Sequence, residues 1–242
     1  MEHSALRCSD PAVLEPDAAL PAVPLHPAPW QLRASAYVFA VRMPEDVLDQ
    51  AAFVPAELVP RRKNRISVVM VVDYAHSDVG PYRELLVAPA SFAHAQGTYP
   101  SITRIYVSSY ESVVNGRINW GIPKDRADFE RGPSAPSQPD TEILRVSRDG
   151  HAFAELVVRP YGPTLPITSW LLPPSLRTLV QHWHGQTYRF TLKASGKVRM
   201  AGVERWSFDP NYFPDLARGR VLGGAYLPNF EMLFPVAEIA PA

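Results

Sequence analysis

Twenty-six prolines are distributed along this chain of 242 residues. A proline inside a helix removes a backbone hydrogen bond and clashes with the preceding turn. Long helices are therefore excluded, and short elements joined by stiff loops are expected. The run Ile66–Tyr74 (ISVVMVVDY) is nearly all apolar and β-branched, the composition of a central strand buried on both faces. Ala36–Arg42, Tyr82–Ala88, Ile102–Ser109 and a final stretch, Glu231–Glu238, also read as strands. Asp149-Gly150 is a turn signal that pairs Ile143–Ser147 with His151–Arg159, and Ser195-Gly196 suggests a second hairpin between Thr187–Lys193 and Lys197–Trp206.

Two segments carry helical spacing. Pro44–Val54 has Val47, Leu48, Ala51 and Val54 on one face, and the stretch opened by Pro173-Pro174 has Leu176, Leu179, Val180 and Trp183 before Gly185. Residues 130–141 read as a Pro- and Ser-rich loop, and residues 209–224 are punctuated by Gly and Pro. Residues 1–29, rich in Ala and Pro, are expected to be a poorly ordered tail lying across the surface, and residues 30–242 a single domain. The sum is a mainly β fold, an antiparallel barrel or sandwich with a few short helices.

Charge excludes several functions. Twenty-four basic side chains balance 24 acidic ones, so there is no electrostatic footprint for nucleic acid or an anionic membrane. No apolar run reaches the length of about 18 residues that a membrane helix needs, and Met1-Glu2-His3 opens no apolar leader. The cytoplasm is the default compartment. Cys8 is alone and offers neither a disulfide nor a thiolate metal site. His182 and His184, one residue apart, would splay on a helix, so no metal centre is expected; His76, His94 and His151 suit ordinary hydrogen-bonding roles. Neither a Gly-rich phosphate loop nor a Gly-x-Ser-x-Gly turn is present. Lysine is scarce: Lys63, Lys124, Lys193 and Lys197 stand against 20 arginines. A lysine in an apolar setting needs a reason.

Lys124 has such a setting. The stretch Tyr106–Phe129 (YVSSYESVVNGRINWGIPKDRADF) runs from a strand through Gly116 and an aromatic-apolar turn to Pro123-Lys124, with Trp120 and Ile122 beside the lysine. Upstream, the two-residue period of Tyr82–Ala88 puts Tyr82, Glu84 and Leu86 on one strand face. This block resembles the active-site segment of the acetoacetate decarboxylase superfamily, gapless from Tyr106 through Gly116-Arg117 to Pro123-Lys124. Gly80-x-Tyr82-x-Glu84, followed by Pro89 and Phe92, resembles the strand that precedes it. Leu233–Ile239, with Ala237-Glu238, resembles the family's terminal strand.

The resemblance implies a β-barrel that binds a small or medium keto acid or other carbonyl compound. Lys124 takes the place of the Schiff-base lysine and Glu84 that of a pocket glutamate. Arg33 stands near the position of an arginine that holds the substrate carboxylate, and Tyr82, Arg117, Trp120 and Ile122 would line the pocket. No cofactor is implied, because the iminium is itself the electron sink. A homo-oligomer is implied. In the decarboxylases a second lysine follows the nucleophile; here Asp125 does. A free lysine titrates near about 10.4, and burial can lower that by up to about 3–5 units, so a dry pocket suffices without a neighbouring cation. An ionised Asp125 at the rim would oppose this effect, unless it pointed into solvent and was screened. The departure leaves aldolase or dehydratase chemistry beside decarboxylation. The alternative to an enzyme is a barrel that binds a hydrophobic carbonyl or carboxylate ligand without turnover.

Overall fold

The apolar run at 66–74 does form a strand, and the main sheet extends to either side of it. In the computed structural model, which describes residues 13–50, 53–135 and 138–242, this strand is β2 (Ile66–His76), between β1 (Trp30–Arg42) and β3 (Tyr82–Ala88). Beyond β3 lie β6 (Arg104–Val107) and β7 (Lys124–Arg126). Beyond β1 follow β14 (Arg220–Phe234), β13 (Lys193–Phe208), β10 (His151–Thr168), β9 (Gln138–Arg148) and β8 (Asp128–Ala135), ten strands in all. Every pairing in this sheet is antiparallel except that of β6 with β7. Two smaller sheets accompany it: β4 (Ser91–His94) with β5 (Gly97–Pro100), and β11 (Thr178–Trp183), β12 (Gln186–Thr191) and β15 (Glu238–Pro241). The helices are α1 (Glu45–Gln50), α2 (Tyr110–Trp120) and α3 (Pro174–Arg177). None is long and apolar enough to cross a membrane.

The sheet curls into a half-barrel. Its inner face gathers Phe39 and Val41 from β1, Val69 and Val71 from β2, Leu85 from β3, Tyr106 from β6, Leu144 from β9 and Leu156 from β10 into one core. A second core lies on the other face, where Trp30, Leu32, Val72, Tyr74, Tyr82, Ile105 and Val107 meet α2 through Val113 and Trp120, and the small sheet through Leu179 and Phe190. The two-residue alternation of β-strands divides their side chains between these cores. Lys124 enters the second.

Several expectations change. Of the expected loop at 130–141, residues 136 and 137 lie outside the described residues; the rest is strand, with residues through Ala135 in β8 and those from Gln138 in β9. Pro133 is tolerated because β8 is an edge strand of the sheet. The helix expected through Trp183 is a single turn, α3, followed by β11; Leu179, Val180 and Gln181 are all buried, as in a strand covered on both faces. The hairpin at Ser195-Gly196 does not form. β12 pairs with β11 and β15, whereas β13 pairs with β10 and β14. Gly196 lies within β13, where a Cβ would come within 2.5 Å of the Asn229 carbonyl; this glycine serves close strand approach rather than a turn. The expected terminal strand is broken after Phe234 and resumes at Glu238. Of the expected tail, residues 1–12 lie outside the described residues. From Val13 onward the segment is tied to α2: Asn115 Oδ1 accepts the His26 amide at 2.6 Å, Asn119 Nδ2 donates to the His26 carbonyl at 2.8 Å, and Asn115 Nδ2 donates to the Pro24 carbonyl at 3.0 Å.

Candidate active site

α2 positions the site. Its start is capped by Ser109, whose hydroxyl accepts the Ser112 amide at 3.2 Å. Its end is set by Gly121 at φ 60°, whose amide donates to the Arg117 carbonyl at 2.9 Å. The chain then turns through Ile122 and Pro123 into β7, which runs parallel to β6 with Lys124 opposite Ile105. The stem of Lys124 passes back over Gly116, where a Cβ would lie 2.6 Å from Cδ and 2.8 Å from Cε. Only glycine leaves that path open.

The Lys124 side chain is 5% exposed, as is that of Glu84. Nζ lies 3.1 Å from Glu84 Oε2 and 3.0 Å from Ser112 Oγ, and 5.1 Å from the centre of the Tyr82 ring. Three acceptors therefore surround an ammonium that has three N–H bonds: a carboxylate, a hydroxyl and an aromatic face. Glu84 is held in turn by Tyr74, whose hydroxyl donates to Oε1 at 3.3 Å. The Tyr82 ring lies against that of Tyr74, with centroids 4.5 Å apart. Burial, then the charge of Glu84, pushes both phenols well above their ordinary range, so they remain protonated donors. Tyr82 and Glu84 share a strand face, as their spacing implies, and register places Tyr74 opposite Tyr82 and Val72 opposite Glu84.

The other sequence-derived candidates take different places. Ile122 is buried in the same core. Trp120 packs edge-on against Trp30 at 4.9 Å and donates Nε1–H to the Pro235 carbonyl at 2.7 Å, which makes it a wall rather than a reactant. Arg117 holds the backbone: Nε donates to the Lys124 carbonyl at 2.9 Å, and Nη1 to the Glu15 carbonyl at 2.8 Å and to Asp17 Oδ1 at 2.5 Å. Its Nη2 is buried with no partner among the described residues. Arg33 is not brought to the lysine. Its neighbours Leu32 and Ala34 face the second core, so Arg33 points the opposite way. It is 61% exposed, 3.9 Å from Glu231, and lines a separate cleft of about 430 Å³ with His76, Trp170 and Lys193.

Asp125 neither sits at the rim nor points into solvent. It is completely buried on the other face of β7, where Arg148 Nη1 donates to Oδ2 at 2.6 Å and the Arg126 amide to Oδ1 at 3.1 Å. Its charge is balanced by an ion pair, not by water. Ser112 and Tyr74 are the site residues that sequence reasoning missed. Ser109 followed by Glu111, with Gly121 and Pro123 beyond, is a capping pattern that points to the helix carrying Ser112.

Comparison with known proteins agrees with this architecture. The acetoacetate decarboxylase (ADC) family model matches residues 18–204. Among curated proteins, none matches the chain in sequence. An acetoacetate decarboxylase from Legionella pneumophila subsp. pneumophila str. Philadelphia 1 superposes with a TM-score of 0.70 at 12% identity, covering 92% of each chain. An acetoacetate decarboxylase-like enzyme from Sphingomonas wittichii RW1 gives 0.67 at 15% identity, covering 95% of this chain and 100% of its own. The enduracididine biosynthesis enzyme MppR, complexed with pyruvate, gives 0.63 at 13% identity, covering 89% of this chain and 91% of its own. At these identities the structural likeness is one of fold.

Proposed function

Because the chain belongs to the acetoacetate decarboxylase family, we propose that it is a carbon–carbon lyase whose Lys124 forms a Schiff base with a small or medium keto acid or related carbonyl compound. One observation carries this reading: the Lys124 amine is withdrawn from water and paired with Glu84 inside a buried core. Dehydrating two charges costs several kcal/mol per ion, and a hydrophobic pair of similar volume is often as stable or more so. Stability alone thus gives little reason for this pair, whereas iminium chemistry requires an amine and a proton acceptor in a dry site.

In this reading Glu84 takes a proton from Nζ, and the neutral amine adds to the substrate carbonyl. Water leaves and an iminium remains. With a 3-keto acid, the bond to the carboxylate carbon breaks, carbon dioxide departs, and its electron pair flows to the iminium nitrogen. Protonation at carbon and hydrolysis then release a ketone and free lysine. With pyruvate the iminium acidifies the methyl group instead, which permits addition to an aldehyde and loss of water. The structure of MppR with the condensation product of pyruvate and imidazole 4-carboxaldehyde supports keeping this second outcome within the same reading.

The test is turnover. The protein is incubated with 3-keto acids of increasing chain length and with pyruvate plus an aldehyde, and products are followed by NMR. Turnover of one class, abolished in Lys124→Met, supports the reading; turnover undiminished in Lys124→Met removes it. A homo-oligomer belongs to the same proposal. The exposed run of Trp170, Leu171, Leu172 and Leu176 supports it, and a monomer at all concentrations in sedimentation velocity would remove that part.

A further inference from the structure

One guanidinium joins the N-terminal segment to the backbone of the lysine. The Arg117 side chain is 3% exposed, and it is attached on two sides. Nε donates to the Lys124 carbonyl at 2.9 Å. Nη1 donates to the Glu15 carbonyl at 2.8 Å and to Asp17 Oδ1 at 2.5 Å. The guanidinium carbon lies over the Trp183 ring, 5.2 Å from its centre, while Nη2 is buried without a partner among the described residues. An arginine keeps its charge throughout the working pH range, and a buried charge that loses its counter-charge is costly. Among the described residues, Asp17 is the one carboxylate in ion-pair contact with Arg117. Asp17 belongs to a segment with little else to hold it. No residue of 13–29 is buried, so its place is set more by directional contacts than by packing. At one end these are the bonds of Asn115 and Asn119 to Pro24, His26 and Ala28. At the other end the Asp17 carboxylate has Oδ1 on Arg117 and Oδ2 at 2.7 Å from His184 Nε2.

We propose that Asp17 is a positioning residue for Lys124, acting through Arg117. The inference rests on the Schiff-base reading above. Asp17 fixes the guanidinium, and the guanidinium holds the Lys124 carbonyl. That carbonyl lies at the start of β7, where the lysine stem sets out across Gly116 toward Glu84 and Ser112. Without the charge of Asp17, Arg117 keeps only the Glu15 carbonyl on that side and turns toward water, giving up its alignment on Lys124. Nζ is then displaced from Glu84 Oε2 and Ser112 Oγ, which it now meets at 3.1 and 3.0 Å. Attack on a carbonyl is sensitive to such a shift: a misplacement of about 1 Å can slow a reaction about a hundred-fold. The polar contacts of Asp17 are with Arg117 and His184, not with Lys124 or Glu84. Its loss therefore slows the step at nitrogen and leaves binding of the carbonyl compound intact.

The experiment follows iminium capture by cyanoborohydride against the concentration of acetoacetate, or of pyruvate, in wild type, Asp17→Asn, Asp17→Glu and His184→Gln. Folding is checked by near-UV circular dichroism, and intact mass gives the number of adducts per chain at the end point. In Asp17→Asn the limiting rate is expected to fall about five-fold or more. The half-saturating concentration stays within about two-fold of wild type, and the end point remains one adduct per chain. Asp17→Glu, which restores the charge, recovers most of the rate. His184→Gln, which leaves Asp17 on Arg117, changes it less than about two-fold. A lower end point with an unchanged rate in the remaining chains would mean that Asp17 only supports folding, and would overturn the positioning role. So would a wild-type limiting rate in Asp17→Asn. An equal fall in His184→Gln would place the effect in anchoring of the segment and overturn the route through Arg117. Each of these leaves the Schiff base standing. Absence of any wild-type adduct overturns the underlying reading and the positioning role with it.

Discussion

Lys124 and Asp125 are adjacent in sequence and belong to opposite sides of the sheet. Lys124 meets Glu84 in the outer core, while Asp125 is sealed against Arg148 on the inner side, next to the layer that holds Tyr106. The alternation of β7 thus separates two buried ion pairs that one residue of register would exchange. The aspartate that follows the nucleophile position is structural, and its charge is compensated before it can act on the amine.

Asp125→Asn tests this separation. Removing one partner of a buried pair is strongly destabilising, by about 3–5 kcal/mol where burial is complete; because Arg148 is only partly buried, a loss of about 2 kcal/mol is expected. Urea denaturation should show this fall, while adduct formation at Lys124 changes by less than about three-fold in the folded protein. A large change in adduct formation without loss of stability would mean that Asp125 acts on the amine.

Glu84 and Lys124 should behave as a unit. Glu84→Gln leaves an ammonium without its counter-charge in a core, and breaking such a pair costs about 3–5 kcal/mol. Adding Lys124→Met removes the orphaned charge, so the double variant should recover at least half of the loss in urea midpoint. Additive losses in the double-mutant cycle would contradict the coupling.

Gly116→Ala should preserve the fold and disable the lysine. The added Cβ collides with Lys124 Cδ and Cε, atoms of a flexible side chain that can move aside. The melting temperature is expected to stay within a few degrees, and adduct formation to fall at least ten-fold. An unaltered adduct rate would show that the stem does not need the path over residue 116.

Much of this arrangement is legible in the sequence, and the rest is hidden for identifiable reasons. Ile66–His76 and Tyr82–Ala88 are strands because β-branching and two-residue alternation are local signals. Pro123-Lys124 stands out because lysine is scarce. α2 is not visible from periodicity, since it buries Ser112, Asn115, Gly116 and Arg117, residues that do chemical and anchoring work instead of forming an apolar stripe. Leu176, Leu179, Val180 and Trp183 mimic a helical face while most of them lie in a strand. Tyr74 joins the site only through its register with Tyr82, a long-range pairing that no local pattern encodes.

Two histidines set a pH dependence of stability. His94 on β4 and His182 on β11 stack at 5.5 Å with their rings 13° from parallel. Each has a buried Nε2 without a partner among the described residues, so His94 does not fill through both nitrogens the ordinary hydrogen-bonding role expected of it. Burial lowers both below 6.5; for His94 the charges of His182 and Arg61 add to this, and for His182 Glu57 opposes while Arg61 adds. In the window between the lowered folded values and about 6.5, the unfolded chain binds more protons. Stability is therefore full above about pH 6.5 and declines as pH falls below it. Urea midpoints from pH 8 to pH 5 should trace this decline, and His94→Asn with His182→Asn should flatten it. A midpoint that rises on acidification through this window would contradict the assignment.

The most direct measurement is borohydride reduction in the presence of acetoacetate and, separately, pyruvate, followed by intact mass and peptide mapping across the four lysines. A reduced adduct confined to Lys124, with Lys63, Lys193 and Lys197 unmodified, is the predicted result. Modification spread evenly over all four, or none at Lys124 with any carbonyl compound that the protein turns over, would contradict the account.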